Sequence, residues 1–385
     1  MTHSATFDTL REHFPVRRHM LYLDAAHQTP LATPVRQALD AFYLAAHLHG
    51  GPKPVWLRRV EQVRARVAAF LGALPGEIAF TKNTSEGLNI AANALGLTRG
   101  DKVLLIEGDH PNNAYAWLNL VRQGVEVQFI PLRRGVADAA LFAPHMDART
   151  RAVSLSHVTF HAGHRHDIAG IGALCRERGV PMVVDAMQSA GVVPIDVKAM
   201  GISILAAGCH KGLLVPQGLG LLYVDHDLSS KMRPAYLALS ALARPPADLV
   251  ADPSDLGLRE DAGRFETGNY NLPDIHALEA ALDLIESVGV AGIEDHVLAL
   301  GDRLIERMDA LGVALVGPRE RARRAHIYVL ALPTQPWLEY LTGEGVRVSP
   351  ERDGIRVSFG LFNTADDVDR FAQLVEAGLR TRALA

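Results

Sequence analysis

Residues 181–212 read PMVVDAMQSAGVVPIDVKAMGISILAAGCHKG, and this stretch decides how the rest of the chain is read. It holds two almost uninterrupted apolar runs, 181–186 and 202–207, each of strand length and without polar alternation. Strands of that kind are buried on both faces, as in a parallel sheet covered by helices. Asp185 closes the first run and Lys211 follows the second. Ligands in open α/β sheets gather at the carboxyl ends of the strands, so both residues stand where chemistry is expected.

Working outward, 103–106, 125–130, 152–158 and 218–224 read as further strands, and 114–122 and 168–178 as covering helices. The pair Asp109-His110 again follows a strand. After a Pro-rich loop at 244–253, helical patterns at 275–287 and 293–311 lead to a strand (325–332), a helix, a strand (354–359) and a final helix (365–379). This alternation predicts an α/β protein with a large, mostly parallel sheet domain and a small C-terminal α/β domain. The expected division is an N-terminal arm (1–20), the large domain (21–288) and the small one (289–385).

A length of 385 residues suits a large domain with a smaller one attached. The net charge of −4 supplies no general attraction for nucleic acid, and the basic run 319–324 reads as a solvated loop. No apolar stretch is long enough to span a bilayer. The first residues lack an apolar signal core, and two cysteines, Cys175 and Cys209, do not make a disulfide framework. The expectation is a cytoplasmic protein without nucleic-acid or membrane partners.

Three segments carry the chemistry. A lysine held on a loop after a buried strand has its neutral amine favoured by desolvation, which suits Schiff-base formation, although lysines also reach the surface by snorkelling. A carboxylate ending an apolar strand needs a cationic partner, and the pyridinium nitrogen of pyridoxal 5'-phosphate is one; a helix N-cap is the alternative role for Asp185. Gln188, three residues on, stands within reach of the phenolate oxygen of such a ring. In TKNTSEGLN (81–89), Thr84 and Ser85 at a helix start make either a phosphate site or simple caps.

The ordered motifs TKNTSEGLN, EGDHPNN, SHVTFHAGHRHDI, VVDAMQSAG, AAGCHKG, RFETGNYN and IRVSFGLFNTADDVDRF resemble the class V aminotransferase family of pyridoxal-phosphate enzymes. That family includes cysteine desulfurases, selenocysteine lyases, isopenicillin N epimerases and kynureninases. The resemblance runs from Tyr22 to the C-terminal helix and implies the fold type I aminotransferase architecture and a homodimer. It assigns Lys211 to the cofactor Schiff base, Asp185 to the ring nitrogen, Gln188 to the phenolate oxygen, and Thr84, Ser85 and His210 to the phosphate. It places His110 on the ring face and Arg356 on the carboxylate of an amino-acid substrate. Asn269 stands where a threonine reaches the neighbouring subunit's phosphate.

Three departures qualify the resemblance. Phe160 stands where the family often has an asparagine, and Gly208 where it often has a serine. The segment 341–350, LTGEGVRVSP, contains no cysteine where desulfurases carry their sulfur nucleophile. The implied reaction is removal of the substrate's α-proton followed by β-elimination of a C–S type, with epimerisation or transamination as the alternatives. His27, His161 and His164 are candidates for substrate contact or proton transfer, and His157 for a structural role. The cluster His157, His161, His164 and His166 lacks a metal-ligand spacing, so no metal is expected, and a metal-dependent hydrolase or a non-catalytic cofactor-binding protein is the remote alternative.

Overall fold

The computed structural model describes residues 3–132 and 135–380. Positions 1–2, 133–134 and 381–385 lie outside the described residues, and they include the ends of the expected N-terminal arm and C-terminal domain. The apolar runs, with one further segment, become strands β1 (Ile78–Thr81, the added one), β2 (Lys102–Ile106), β3 (Glu126–Ile130), β4 (Thr150–Ser156), β5 (Met182–Asp185), β6 (Ile204–Gly208) and β7 (Gly220–Val224). They form one sheet in the order β1-β7-β6-β5-β4-β2-β3. Every residue of β2, β5, β6 and β7 is buried, whereas the edge strand β3 keeps a polar, half-exposed pattern. Continuous apolar sequence and two-sided burial thus go together.

The sheet is parallel from β6 to β3, but β7 runs antiparallel to both of its neighbours, β1 and β6. An apolar run does not record its own direction, so the sequence reading missed this reversal. It also missed β1, four residues directly before the Thr84 helix. The helix expected at 114–122 begins at Pro111, ends at Leu118 and tightens into a 3-10 turn over Asn119–Gln123.

A second, antiparallel sheet joins β8 (Leu315–Val316), β9 (Ile327–Leu330), β10 (Ser349–Glu351) and β11 (Gly354–Ser358) in the order β10-β11-β9-β8. Helices Val290–Ala310 and Ala365–Leu379 pack together beside it. The run 319–324 is not simply a solvated loop. Arg324 is buried and bonds Asp302 and the Tyr328 hydroxyl, while Arg319 and Arg321 pair with Asp309 and Asp302.

The N-terminal segment ties the two sheets together. Leu21–Tyr22 pairs in parallel with Val346–Arg347, and Asp24 bridges to Ser358, so residues 21–24 find their backbone partners in the C-terminal part. Phe14 packs on Phe362 with ring centroids 4.8 Å apart, and Phe7 stacks on His296 at 4.1 Å. Beyond that anchor the chain crosses to the large sheet, where the Thr29 amide donates to the His210 carbonyl at 3.1 Å.

Helix Thr84–Ala94 approaches β6 closely because Gly87 has no side chain. A Cβ there would stand 2.8 Å from the Cβ of Ala206. Forcing bulk into such a contact costs about 1–3 kcal/mol. Gly87→Val is expected to lower the unfolding free energy obtained from urea denaturation by that amount, whereas Asn89→Ala on the exposed face of the same helix leaves it nearly unchanged.

Candidate functional site

The parallel strands end on one side of the sheet, and that is where the predicted residues meet. Asp185 is the last residue of β5 and is 5% exposed. One of its carboxylate oxygens accepts the Met187 amide at 2.8 Å. Burial, reinforced by Asp109 and opposed by the Met187 amide and Lys211, pushes its pKa up to about 7. Lys211 follows β6 on a tight turn, with the Leu214 amide donating to its carbonyl. Burial, together with the nearby Arg356 charge, brings its pKa down to about 8 despite Asp185, Asp24 and Glu351. Both groups are held off their ordinary values in one cleft, a pattern concentrated at functional sites.

A cavity of about 270 Å³ brings together Thr84, Ser85, His110, Asp185, Gln188, His210 and Lys211. Asn83 caps the Thr84 helix through the Glu86 amide, and the Asn112 amide nitrogen donates to the Ser85 hydroxyl at 2.8 Å. The His110 ring stands edge-on to Phe160 at 5.0 Å and accepts the Asn112 backbone N–H on Nδ1. Asp109 braces this loop by accepting from the Ser156 amide and hydroxyl and from Asn113. Burial, and then the charge of Lys211, lowers the pKa of His110 and takes His210 down to about 4, so both rings are neutral at pH 7.

These residues fit the cofactor that the family resemblance implies. A buried carboxylate, Asp185, and a helix start, Thr84–Ser85, both line the cavity. Gln188 donates to the Ala26 carbonyl at 3.0 Å, and its buried Oε1 has no partner among the described residues. Its second amide hydrogen and that orphan oxygen are ready for a polar ring substituent. Gly208 also has a local reason. A Cβ there would lie 2.8 Å from Met187 Sδ and 3.2 Å from Thr84 Oγ1, so methionine occupies the space a serine would need.

A larger cavity of about 720 Å³ adjoins the first and shares His110, Phe160, Gln188 and Lys211 with it. His27 and Arg356 line it, as expected, and so do Asp24 and Glu351, which the sequence reading did not single out. Arg356 is 5% exposed in β11. Its Nη1 donates to the Phe160 carbonyl at 3.0 Å and to Glu351 at 2.7 Å. The only available signal for Glu351 was its place five residues before the arginine, which means nothing until the β10–β11 hairpin folds.

Three predicted residues lie elsewhere. His161 does not line either cavity; it contacts Glu351 at 3.2 Å and Asp353 at 2.7 Å and lies beside the Phe160 ring, so it reaches the site through those neighbours. His164 lines a separate cavity of about 390 Å³ with His161. Asn269 is exposed and accepts from Lys53 at 3.3 Å. His157 and His166 are buried, and His166 accepts the Ala137 amide. Among the described residues no three histidine, cysteine or carboxylate side chains converge as a metal site would require.

Comparison with known proteins agrees with this geometry. The family model described as aminotransferase class-V matches residues 21–371. An uncharacterized protein of Schizosaccharomyces pombe is 35% identical, over 93% of this chain and 84% of that protein. A probable cysteine desulfurase of Methanothermobacter thermautotrophicus is 32% identical, over 77% of this chain and 74% of its own length. The apo structure of a cysteine desulfurase from Thermococcus onnurineus superposes with a TM-score of 0.88 at 27% identity, covering 96% of this chain and 97% of that one.

The raised pKa of Asp185 makes a stability prediction for the cofactor-free protein. The folded state holds the proton up to about pH 7 and the unfolded state releases it near 3.8, so stability is lost as pH rises through that window. Asp185→Asn removes the penalty. Its melting temperature is expected to match the wild type near pH 3.5 and to exceed it increasingly up to pH 7–8, by a margin on the order of a few kcal/mol in unfolding free energy.

Proposed function

We propose, from the premise that this chain belongs to the class-V aminotransferase family, that it is a pyridoxal-phosphate-dependent C–S lyase that eliminates a sulfur substituent from an amino acid. One observation carries the choice of elimination over persulfide chemistry. Both cysteines are buried, at 1% and 0% exposure, and burial pushes the Cys175 thiol up to about 12 and the Cys209 thiol higher still. Thiolates are the nucleophilic form, so neither can accept sulfur from a substrate.

The cofactor, when bound, supplies an electron sink for charge developing at the substrate's α-carbon. Asp185 would hold the ring nitrogen, and Gln188 the phenolate side. Thr84, Ser85 and His210 would hold the phosphate with the amides of the helix start. His110, kept neutral by burial and by Lys211, would pack on the ring face. The Lys211 amine, with a pKa near 8, would take the α-proton; a base poised near the working pH is the most effective. Arg356 would orient the substrate carboxylate, and His27, which lines the same cavity, would protonate the leaving group.

We also propose that the protein works as a homodimer in a reducing, cytoplasmic setting. Asn269 lies away from its own cavity, and a partner's phosphate is what the family pattern has it reach. Helices Thr33–His49 and Lys53–Leu71 expose Tyr43, Leu44, Leu48 and Val55, and the segment 236–250 exposes Tyr236 and Val250. Apolar exposure on that scale supports an interface. The unpaired cysteines support the compartment, and among the described residues no helix is long and apolar enough to cross a membrane.

Two measurements test this reading. Borohydride treatment of the yellow holoenzyme is expected to fix the cofactor on the Lys211 peptide, and S-substituted cysteines to yield pyruvate and ammonium even in the C175A/C209A double variant. Racemised or transaminated product, or activity lost with both thiols, overturns elimination without a sulfur carrier. Sedimentation is expected to show a dimer, with Asn269→Ala weakening cofactor retention about tenfold, the loss of one charged-group hydrogen bond; an active monomer refutes the shared site.

A further inference from the structure

Arg356 does not wait in the cavity as a free cation. Both hydrogens of its Nη1 are engaged, by the Phe160 carbonyl at 3.0 Å and Glu351 at 2.7 Å. Its Nε is buried and has no partner among the described residues. Its Nη2 stands 3.6 Å from Asp24 Oδ1, just beyond hydrogen-bond reach, while that oxygen already accepts the Ser349 hydroxyl at 2.7 Å. The edge formed by Nε and Nη2 therefore makes no hydrogen bond within the described protein, its one polar neighbour being the Asp24 carboxylate at ion-pair distance, and it is the edge that a carboxylate pairs with side-on.

We propose that Glu351 is a positioning residue for substrate recognition: it holds Arg356 back from Asp24 so that the Nε–Nη2 edge stays available to the α-carboxylate of the amino acid. The inference rests on the amino-acid chemistry proposed above and names a determinant of it. Asp24 is nearly fully buried and close by, so without a competing anion the guanidinium would turn the last fraction of an ångström and close on it. Glu351 prevents this because it is itself held on both sides. Its second oxygen meets His161 Nδ1 at 3.2 Å, and the other ring nitrogen meets Asp353 at 2.7 Å. The backbone is fixed as well: Glu351 faces Gly354 in the β10–β11 register, and the Thr334 hydroxyl donates to its carbonyl at 3.2 Å. Gly354, at φ 145°, is required there, since a Cβ would stand 1.9 Å from the Leu330 carbonyl oxygen. This gives His161 a task that its sequence position did not reveal: it tethers the anion that sets the arginine.

The test separates recognition of the carboxylate from general damage. Holoenzyme is titrated with alanine and with ethylamine, which differ by the carboxylate, and the change in its visible spectrum is followed. Glu351→Gln is expected to weaken alanine binding about tenfold or more, the effect of losing a charge-assisted contact, with ethylamine binding and cofactor content unchanged. His161→Asn, which removes the tether without touching Arg356, is expected to shift alanine in the same direction by a smaller factor, and it serves as the measurement should Glu351→Gln fail to fold. Equal weakening of both ligands, or no change in either variant, overturns the proposal. If the wild-type protein takes up no pyridoxal phosphate, it is the function proposed above that fails, not the role of Glu351.

Discussion

The burial of one carboxylate organises this molecule. Asp185 sits at the end of a strand with no solvent-facing side, next to a lysine whose own charge is disfavoured by the same surroundings. Within the fold Asp185 accepts a backbone hydrogen bond from Met187, while burial disfavours its charge and that of Lys211 alike. The arrangement becomes favourable when a molecule carrying a ring cation and a carbonyl occupies the cavity, which is the general relation between strained functional sites and stability.

Around that pair, the architecture works by close approach. Gly87 lets the Thr84 helix lie against β6, and Gly208 leaves room for Met187 beside Thr84. The helix start and the strand ends thereby face one cavity of about 270 Å³. The opposite wall comes from far away in sequence. Residues 21–24 pair with the C-terminal part, and Ala26 accepts from Gln188 in the turn that follows β5, so the N-terminal segment links the arginine side of the site to the lysine side.

The departures from the family pattern acquire a common physical sense in this setting. The region before the arginine has no sulfur nucleophile, and both thiols lie in apolar surroundings that keep them protonated. In place of a reactive cysteine, the hairpin before Arg356 carries Glu351, an anion braced by His161 and aimed at the guanidinium. The cavity therefore presents Arg356 within a set of nearby opposite charges rather than as one isolated cation.

The sequence by itself determined the α/β class, the chain order of most strands and the placing of Thr84, Ser85, His110, Asp185, Gln188, His210 and Lys211 around one cavity, though not of Asn269. It could do so because those features are local: an apolar run of strand length, a carboxylate at its end and a lysine after the next run occupy a few consecutive positions each. The tertiary structure alone decided the reversed direction of β7, the attachment of residues 21–24 to the C-terminal sheet, and the assignment of His161 to Glu351 rather than to the cavity. Those outcomes depend on which backbone edge or charged group arrives from elsewhere in the chain. An apolar pattern is the same read in either direction, and a histidine 190 residues away from a glutamate carries no mark of the contact until folding closes that distance to 3.2 Å.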